Sequence, residues 1–105
     1  SLKEELPPRT FVFPRQIVDR TKGRVGTFFG GGMVAHVAFD TPFCPEQNQA
    51  MYEQAKALGI DARLGGTYVC MEGPLFSTKA ESAFHRSQGW DLIGMTAVPE
   101  AKLAR

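Results

Sequence analysis

Residues 67–95, which read TYVCMEGPLFSTKAESAFHRSQGWDLIGM, decide the fold of this chain. Thr67–Glu72 is an apolar run rich in β-forming residues, and it ends at Gly73-Pro74, so we predict a strand. Asp91–Met95 is a second, shorter run that is mainly apolar. Two such runs separated by about twenty residues indicate strands that are joined by an intervening element.

The intervening element has the features of a helix. Thr78 and Glu81 stand at capping-box spacing, which predicts a helix start. We expect the helix to continue to about Gln88 and to stop at Gly89. The order strand, helix, strand predicts a parallel βαβ unit.

The amino-terminal half is less regular. Phe11–Phe13 and Gln16–Val18 are short β-leaning runs, and Pro14 between them argues for a bend or an edge position. Thr21–Gly32 contains five glycines and is expected to be a loop. Met33–Phe39 is compatible with a short strand or an extended loop.

A second helix is expected over Pro45–Leu58. Proline is tolerated in the first helical turn, and Gly59 suits the position just after the end. We expect Met51, Ala55 and Leu58 to share one face. The whole chain is therefore of α/β class and forms part of a larger sheet.

Composition limits the classes of function. The chain has 105 residues, of which 43% are hydrophobic and 22% charged, and its net charge is +1. That is enough for one modest domain with a limited core. It gives no indication of nucleic acid or membrane partners. Cys44 and Cys70 have no metal spacing and suggest no disulfide framework, so a reducing cytoplasm is the expected location.

Both ends look cut. The chain starts at Ser1 with a charged stretch, and a helix that begins at Pro99 stops after about two turns at Arg105. We therefore expect residues 1–105 to be a single segment truncated at both ends.

Three residues near the strand ends are candidates for ligand contact, because open α/β sheets bind ligands at the carboxyl ends of their strands. Thr96 precedes a helix, where a hydroxyl and free N–H groups suit phosphate, although helix capping is its commoner role. Phe76 suits stacking on a flat ring, but packing as a hydrophobic staple is more usual. Met95 is more often a core residue.

The other polar candidates favour ordinary structural roles. His85 falls in the middle of the helix predicted from Thr78 to Gln88, so a solvated or locally hydrogen-bonded side chain is expected. His36 lies in an apolar stretch and suits a core or interface position. No residues stand at metal-ligand spacing, and no catalytic constellation is visible. Asp19-Arg20 is most simply a surface or interface ion pair, and Gly30-Gly31-Gly32 lacks the pattern of a phosphate-binding loop.

The chain resembles the trimeric purine nucleoside phosphorylase and methylthioadenosine phosphorylase family over nearly its whole length. Four segments carry the resemblance, and their joint order and spacing makes it specific. They are Asp19-Arg20-Thr21, Pro42-Phe43-Cys44-Pro45, EGPLFSTKAES (72–82) and GMTAVPE (94–100).

The resemblance implies a fold, a reaction and partners. The fold would be the central part of a mixed-sheet α/β sandwich around a distorted barrel. The reaction would be pentosyl transfer from a purine nucleoside to inorganic phosphate, as in purine and methionine salvage. The enzyme would be a homotrimer that uses phosphate as co-substrate and needs no cofactor or metal.

The same resemblance assigns roles to individual residues. Phe76 would pack against the base and ribose, and Met95 would contact the sugar hydroxyls. Thr96 would bind phosphate. His36 would reach into a neighbouring subunit's site and cover the 5′ end of the nucleoside. No residue of this chain is assigned a catalytic role.

Ser77 bears on the choice of substrate. The branch of the family that acts on 6-oxopurines carries Glu at this position, where it accepts a hydrogen bond from N1–H. Adenine offers a lone pair at N1 instead, so a hydroxyl that donates is the better partner. With Asp19-Arg20-Thr21, this favours phosphorolysis of 5′-deoxy-5′-methylthioadenosine to adenine and 5-methylthioribose 1-phosphate. A 6-oxopurine nucleoside phosphorylase is the alternative.

The chain also departs from the family. Leu75 stands where the family usually has Arg, and Val25–Met33 is unusually rich in glycine. The family's amino-terminal phosphate loop, its Arg-His pair and its downstream Asp lie outside residues 1–105. We therefore expect the segment alone to be inactive. A non-catalytic nucleotide-binding α/β module is the alternative from another functional class.

Overall fold

A computed structural model describes every residue from Ser1 to Arg105. It contains five short strands and three helices. In chain order they are β1 Phe11–Phe13, β2 Gln16–Arg20, α1 Pro45–Ala57, β3 Ala62–Leu64, β4 Thr67–Met71, α2 Lys79–Ser87, β5 Leu92–Gly94 and α3 Glu100–Ala104.

The strands form two parallel sheets. One sheet has the order β2-β4-β5, and the other pairs β1 with β3. In the larger sheet Cys70 of β4 lies opposite Asp19 of β2 and Gly94 of β5. Because the strands are parallel, their carboxyl ends meet at one edge. The α/β class is confirmed, and so is the expected βαβ unit of β4, α2 and β5.

Helix α2 begins with the predicted capping box. The amide N–H of Glu81 donates to Oγ1 of Thr78 over 3.2 Å, and the amide N–H of Thr78 donates to the Glu81 carboxylate over 2.7 Å. The helix ends at Ser87, one residue before the expected Gln88, and Gly89 takes a left-handed conformation with φ of +76°.

Helix α1 has nearly the predicted bounds but a different buried face. It packs against β1 and β3, with Asn48 and Ala55 buried, and Asn48 donates a 2.7 Å hydrogen bond to the carbonyl of Pro14. Met51 and Leu58, which were expected to share the face of Ala55, are 46% and 76% exposed. The side of α1 that these three residues share is therefore buried only at Ala55, and the contact with the Pro14 bend is made by Asn48.

Pro14 lies at the bend between the two sheets, since β1 belongs to the smaller sheet and β2 to the edge of the larger one. Residues 21–39 contain no helix or strand, so Met33–Phe39 is an extended loop and not a strand. Strand β3, in contrast, was not predicted. With only three residues and an exposed Arg63 at its centre, β3 is too short to show the alternation of apolar and polar residues that predicts a strand.

The core is small, as expected for this length. Nine of the 105 residues are buried, and the largest fully buried side chains are Val69, Cys70 and Val98. Two of these lie on β4 and the third in the loop after β5, so the best-packed region adjoins the carboxyl edge of the larger sheet. No helix combines the length and apolar character needed to cross a bilayer.

An ion pair joins β2 to α3 near the carboxyl edge of the larger sheet. Asp19 on β2 accepts a hydrogen bond from the Lys102 ammonium on α3. Burial raises the pKa of Asp19, but the hydrogen bonds from Lys102 and Thr21 outweigh it and lower the pKa to about 2. Asp19 and Arg20 therefore do not pair with each other. Arg20 instead lies 5.4 Å from the ring centroid of Phe84.

Candidate functional site

The carboxyl ends of β4 and β5 bring two loops together. The loop after β4 turns at Gly73, its second residue, which has φ of +78°. A Cβ atom on Gly73 would lie 2.6 Å from Sδ of Met95 in the loop after β5. Glycine is therefore required for both the backbone conformation and the close approach of Met95.

Three of the predicted substrate-binding residues line one cavity at this edge. Its volume is about 490 Å³. Phe76 and Ser77 from the loop after β4 and Met95 from the loop after β5 are among its lining residues. The remaining lining comes from the amino-terminal residues, the strands and α2, namely Ser1, Leu2, Met71, Ser82, Arg86, Ile93 and Gly94.

Phe76 presents its ring to solvent. It is 88% exposed, so the alternative in which it packs into the core as a staple is wrong. Beside it, the Ser77 hydroxyl donates to Sδ of Met71 over 3.4 Å, which is a weak interaction with a poor acceptor. An exposed ring and a weakly engaged hydroxyl are thus adjacent at the mouth of the cavity. Leu75, the departure from the family, is 81% exposed.

Thr96 lies next to this cavity but does not line it. Its amide N–H donates to Oη of Tyr68 over 3.3 Å, and its own hydroxyl is 3.5 Å from the same oxygen. The alternative role as a helix cap is wrong, because Pro99 precedes α3 and no side chain caps it. Ala97, the next residue, has φ of +72°, which turns the chain between Thr96 and α3.

His36 lies in a different part of the molecule. It is exposed and lines a second cavity, of about 560 Å³, with Phe28, Phe29, Lys102 and Leu103. The possibility that His36 is a core residue of this chain is therefore wrong. The structure does not bring His36 together with Phe76, Ser77 and Met95.

Arg24 was not predicted from the sequence, although it is central to the geometry. Its guanidinium contacts the backbone after both β4 and β5 and forms a 3.1 Å ion pair with Glu72. Hydrogen bonds from the Lys22 backbone and from Arg24 lower the pKa of Glu72. The only feature of the sequence that could have indicated a role for Arg24 is its position three residues after the segment Asp19-Arg20-Thr21.

Cys70 also holds the loop after β5. Its buried thiol donates to the carbonyl of Thr96 over 3.0 Å. Burial raises the pKa of the thiol, so Cys70 is a neutral donor and not a nucleophile.

His85 differs from expectation. Its side chain is buried and not solvated, and its ring lies 5.6 Å from that of Trp90. Nδ1 of His85 has no hydrogen-bond partner. A helical position alone could not reveal this burial, because it depends on Trp90 after the helix end. No group of three His, Cys, Asp or Glu side chains is placed to hold a metal ion.

Together these residues suit a flat ring, a polar substituent and an anion. The exposed Phe76 ring offers a stacking surface, and the Ser77 hydroxyl offers a donor beside it. Met95 supplies a polarisable wall, and Thr96 adds a second hydroxyl at the next position. No nucleophile or general acid is part of the arrangement.

Similar proteins in other organisms share one name. The chain is 59% identical over 105 residues to the S-methyl-5′-thioadenosine phosphorylase of Koribacter versatilis, covering 100% of this chain and 36% of that protein. It is 59% identical over 106 residues to the protein of that name from Chloroflexus aurantiacus, covering 100% of this chain and 37% of the relative. The chain therefore spans little more than a third of the length of these relatives.

Solved structures agree. A methylthioadenosine phosphorylase from an antarctic soil metagenomic library superposes with a TM-score of 0.91 at 48% identity, covering 98% of this chain and 37% of that one. The methylthioadenosine phosphorylase of Schistosoma mansoni in complex with adenine superposes with a TM-score of 0.91 at 33% identity. The match covers 98% of this chain and 43% of that one. The sequence pattern of the phosphorylase superfamily matches residues 1–105. The chain belongs to the phosphorylase superfamily.

Proposed function

We propose that this chain forms part of an enzyme that cleaves 5′-deoxy-5′-methylthioadenosine with inorganic phosphate, giving adenine and 5-methylthioribose 1-phosphate. The observation that carries the proposal is that Phe76, Ser77 and Met95 line one cavity at the carboxyl edge of the larger sheet. The names of relatives that are 50–59% identical support the same substrate.

The base is recognised by Phe76 and Ser77. Phe76 stacks on the purine, since its exposed ring loses water when a flat ligand covers it. The Ser77 hydroxyl exchanges its weak contact with Met71 for a hydrogen bond to a purine lone pair. A carboxylate at the same place would face that lone pair unfavourably and would suit a 6-oxopurine N–H.

The sugar and the phosphate are held by the loop after β5. Met95 packs against the ribose hydroxyl face, and Thr96 donates its hydroxyl to phosphate. His36 lies in a separate cavity of this chain, which is consistent with action at the site of a neighbouring subunit in a homotrimer. It covers the 5′ substituent there.

The reaction is a substitution at the anomeric carbon. The C–N bond to the purine lengthens first, positive charge develops on the sugar, and phosphate adds from the opposite face. The residues described here position the two substrates and exclude water, and they form no covalent intermediate. Protonation of the leaving purine requires a general acid from another part of the enzyme.

A comparison of two nucleosides tests the proposal. The protein expressed from its complete reading frame is assayed with 5′-deoxy-5′-methylthioadenosine and with inosine, each with phosphate. We expect adenine release and little hypoxanthine. Ser77→Glu should lower kcat/KM for the adenine nucleoside about 100-fold, since it places a carboxylate against a lone pair.

Ser87→Glu is the matched control, because it makes the same substitution at the exposed end of α2. It should leave the preference unchanged. Release of hypoxanthine alone, or equal effects of the two substitutions, would contradict the assignment of Ser77.

A further inference from the structure

Arg24 donates hydrogen bonds to both loops of the candidate site. Its Nη1 donates to the carbonyl of Met95 over 2.8 Å and to that of Val98 over 2.6 Å. Its Nη2 donates to the carbonyl of Glu72 over 3.0 Å, and its Nε donates to the Glu72 carboxylate over 3.1 Å. All three guanidinium nitrogens are therefore engaged.

The position of Arg24 is itself fixed by Glu72. The Glu72 carboxylate accepts from Nε of Arg24 with one oxygen and from the amide N–H of Lys22 with the other. The segment after β2 is thus tied to the end of β4 through both its backbone and its side chain. The Arg24 side chain as a whole is 22% exposed, so most of it is covered by the two loops and the segment after β2.

The carbonyls that Arg24 contacts enclose the proposed phosphate residue. Met95 and Val98 flank Thr96 and Ala97, and Ala97 has the left-handed conformation that a side chain disfavours. Two hydrogen bonds from one nitrogen hold the two ends of this turn. The contact to Glu72 holds the start of the loop that leads to Phe76 and Ser77.

We infer that Arg24 is a positioning residue that sets the base-binding loop and the phosphate-binding loop relative to each other. The inference rests on the proposed function of Phe76, Ser77 and Thr96. Arg24 touches neither substrate in this scheme and acts through the backbone at residues 72, 95 and 98. Lysine cannot replace it, since one ammonium cannot reach four acceptors in a planar fork.

The test compares Arg24→Met and Arg24→Lys with wild type in the protein expressed from its complete reading frame. KM for phosphate, KM for the nucleoside and kcat are measured separately, alongside the thermal midpoint. For Arg24→Met we expect both KM values to rise and kcat/KM to fall about 100-fold, as for a small displacement of bound groups. Arg24→Lys should retain the fold, but kcat/KM should still fall about tenfold, because an ammonium group keeps only some of the hydrogen bonds that the planar guanidinium donates.

Arg63→Lys is the matched control. Arg63 on β3 is half exposed and pairs with Asp61, away from both loops. It should leave all three kinetic constants within about twofold, as for most surface substitutions. If the Arg24→Met protein does not fold, the Arg24→Lys comparison decides.

The inference is overturned if a folded Arg24 variant keeps both KM values and kcat close to those of wild type. It is also overturned if only stability falls. Wild type that cleaves inosine and not the methylthio nucleoside would contradict the proposed substrate, and the Arg24 comparison would then be made with inosine. Wild type that cleaves neither nucleoside would overturn both proposals.

Discussion

A contact between β4 and β5 determines where Thr96 lies. Tyr68 on β4 passes over Gly94 on β5 and reaches the amide and hydroxyl of Thr96 with its Oη atom. A Cβ atom on Gly94 would overlap Oη of Tyr68 and lie 2.9 Å from its Cζ. The absence of a side chain at Gly94 therefore allows Tyr68 to support the proposed phosphate residue.

The Gly94→Ala variant should displace Tyr68 and with it Thr96. We expect a loss of about 1–3 kcal/mol in the free energy of unfolding, since a methyl group is forced into an occupied space. KM for phosphate should rise. Chemical denaturation and steady-state kinetics of the protein from the complete reading frame measure the two effects.

The double variant Gly94→Ala, Tyr68→Phe is the control. Removing the phenol oxygen opens the space that the new methyl group needs, so stability should partly return. Phosphate affinity should not return, because the contact to Thr96 is lost. Equal stability of the single and double variants would contradict the steric explanation.

The exposed loop position of Phe76 agrees with its place in the sequence, whereas contact of Phe76 or Ser77 with a ligand stays a prediction. Phe76 and Ser77 follow a glycine–proline turn after a strand, and such positions are typical of ligand contact. Arg24 was not predictable, because its four acceptors are three backbone carbonyls and a carboxylate far away in sequence. Nothing in local sequence indicates such contacts.

At the scale of elements, α2 is the part of the chain whose local sequence specifies its structure most fully. Both hydrogen bonds of the capping box form. The hydrogen bond that the Thr78 amide N–H donates to the Glu81 carboxylate is the main cause that lowers the pKa of Glu81 below its usual value of 4.5. The contribution of the ionised carboxylate to stability is therefore complete above pH 4.5, and it decreases as the pH falls through the lower, folded-state pKa.

Thr78→Ala should destabilise the helix start by about 1 kcal/mol, because the amide of Glu81 loses its acceptor. Urea denaturation at pH 7 measures the change. Thr41→Ala is the matched control, since Thr41 makes only an exposed contact to its neighbour Asp40. A Thr78→Ala protein as stable as the control would show that the capping box contributes nothing.

Elements with strong local signals were predicted within one or two residues, and the others required tertiary information. The runs that became β4 and β5 have clear boundaries in Gly73-Pro74 and Gly89. Strand β3 has three residues and exists because it pairs with β1. The buried face of α1 was missed for the same kind of reason, since it is set by contact with the bend at Pro14.

For the whole molecule, the sequence indicated an α/β arrangement with ligand contacts at one sheet edge, and both sheets are parallel. Local sequence patterns alone did not show that Phe76, Ser77 and Met95 line a different cavity from His36, although the family resemblance implied that His36 acts at a neighbouring subunit's site. That separation follows from the path of residues 21–39, which carry no periodic pattern. Nine of the 105 residues are buried, and the chain covers 36% of the length of the relative from Koribacter versatilis.

The central claim is phosphate-dependent cleavage of 5′-deoxy-5′-methylthioadenosine. Phosphorus-31 NMR of the protein from the complete reading frame, with this nucleoside and inorganic phosphate, tests it most directly. We predict a new sugar 1-phosphate resonance that grows in proportion to the adenine released. Adenine released without a phosphate ester, or no reaction while inosine is cleaved, would contradict the account.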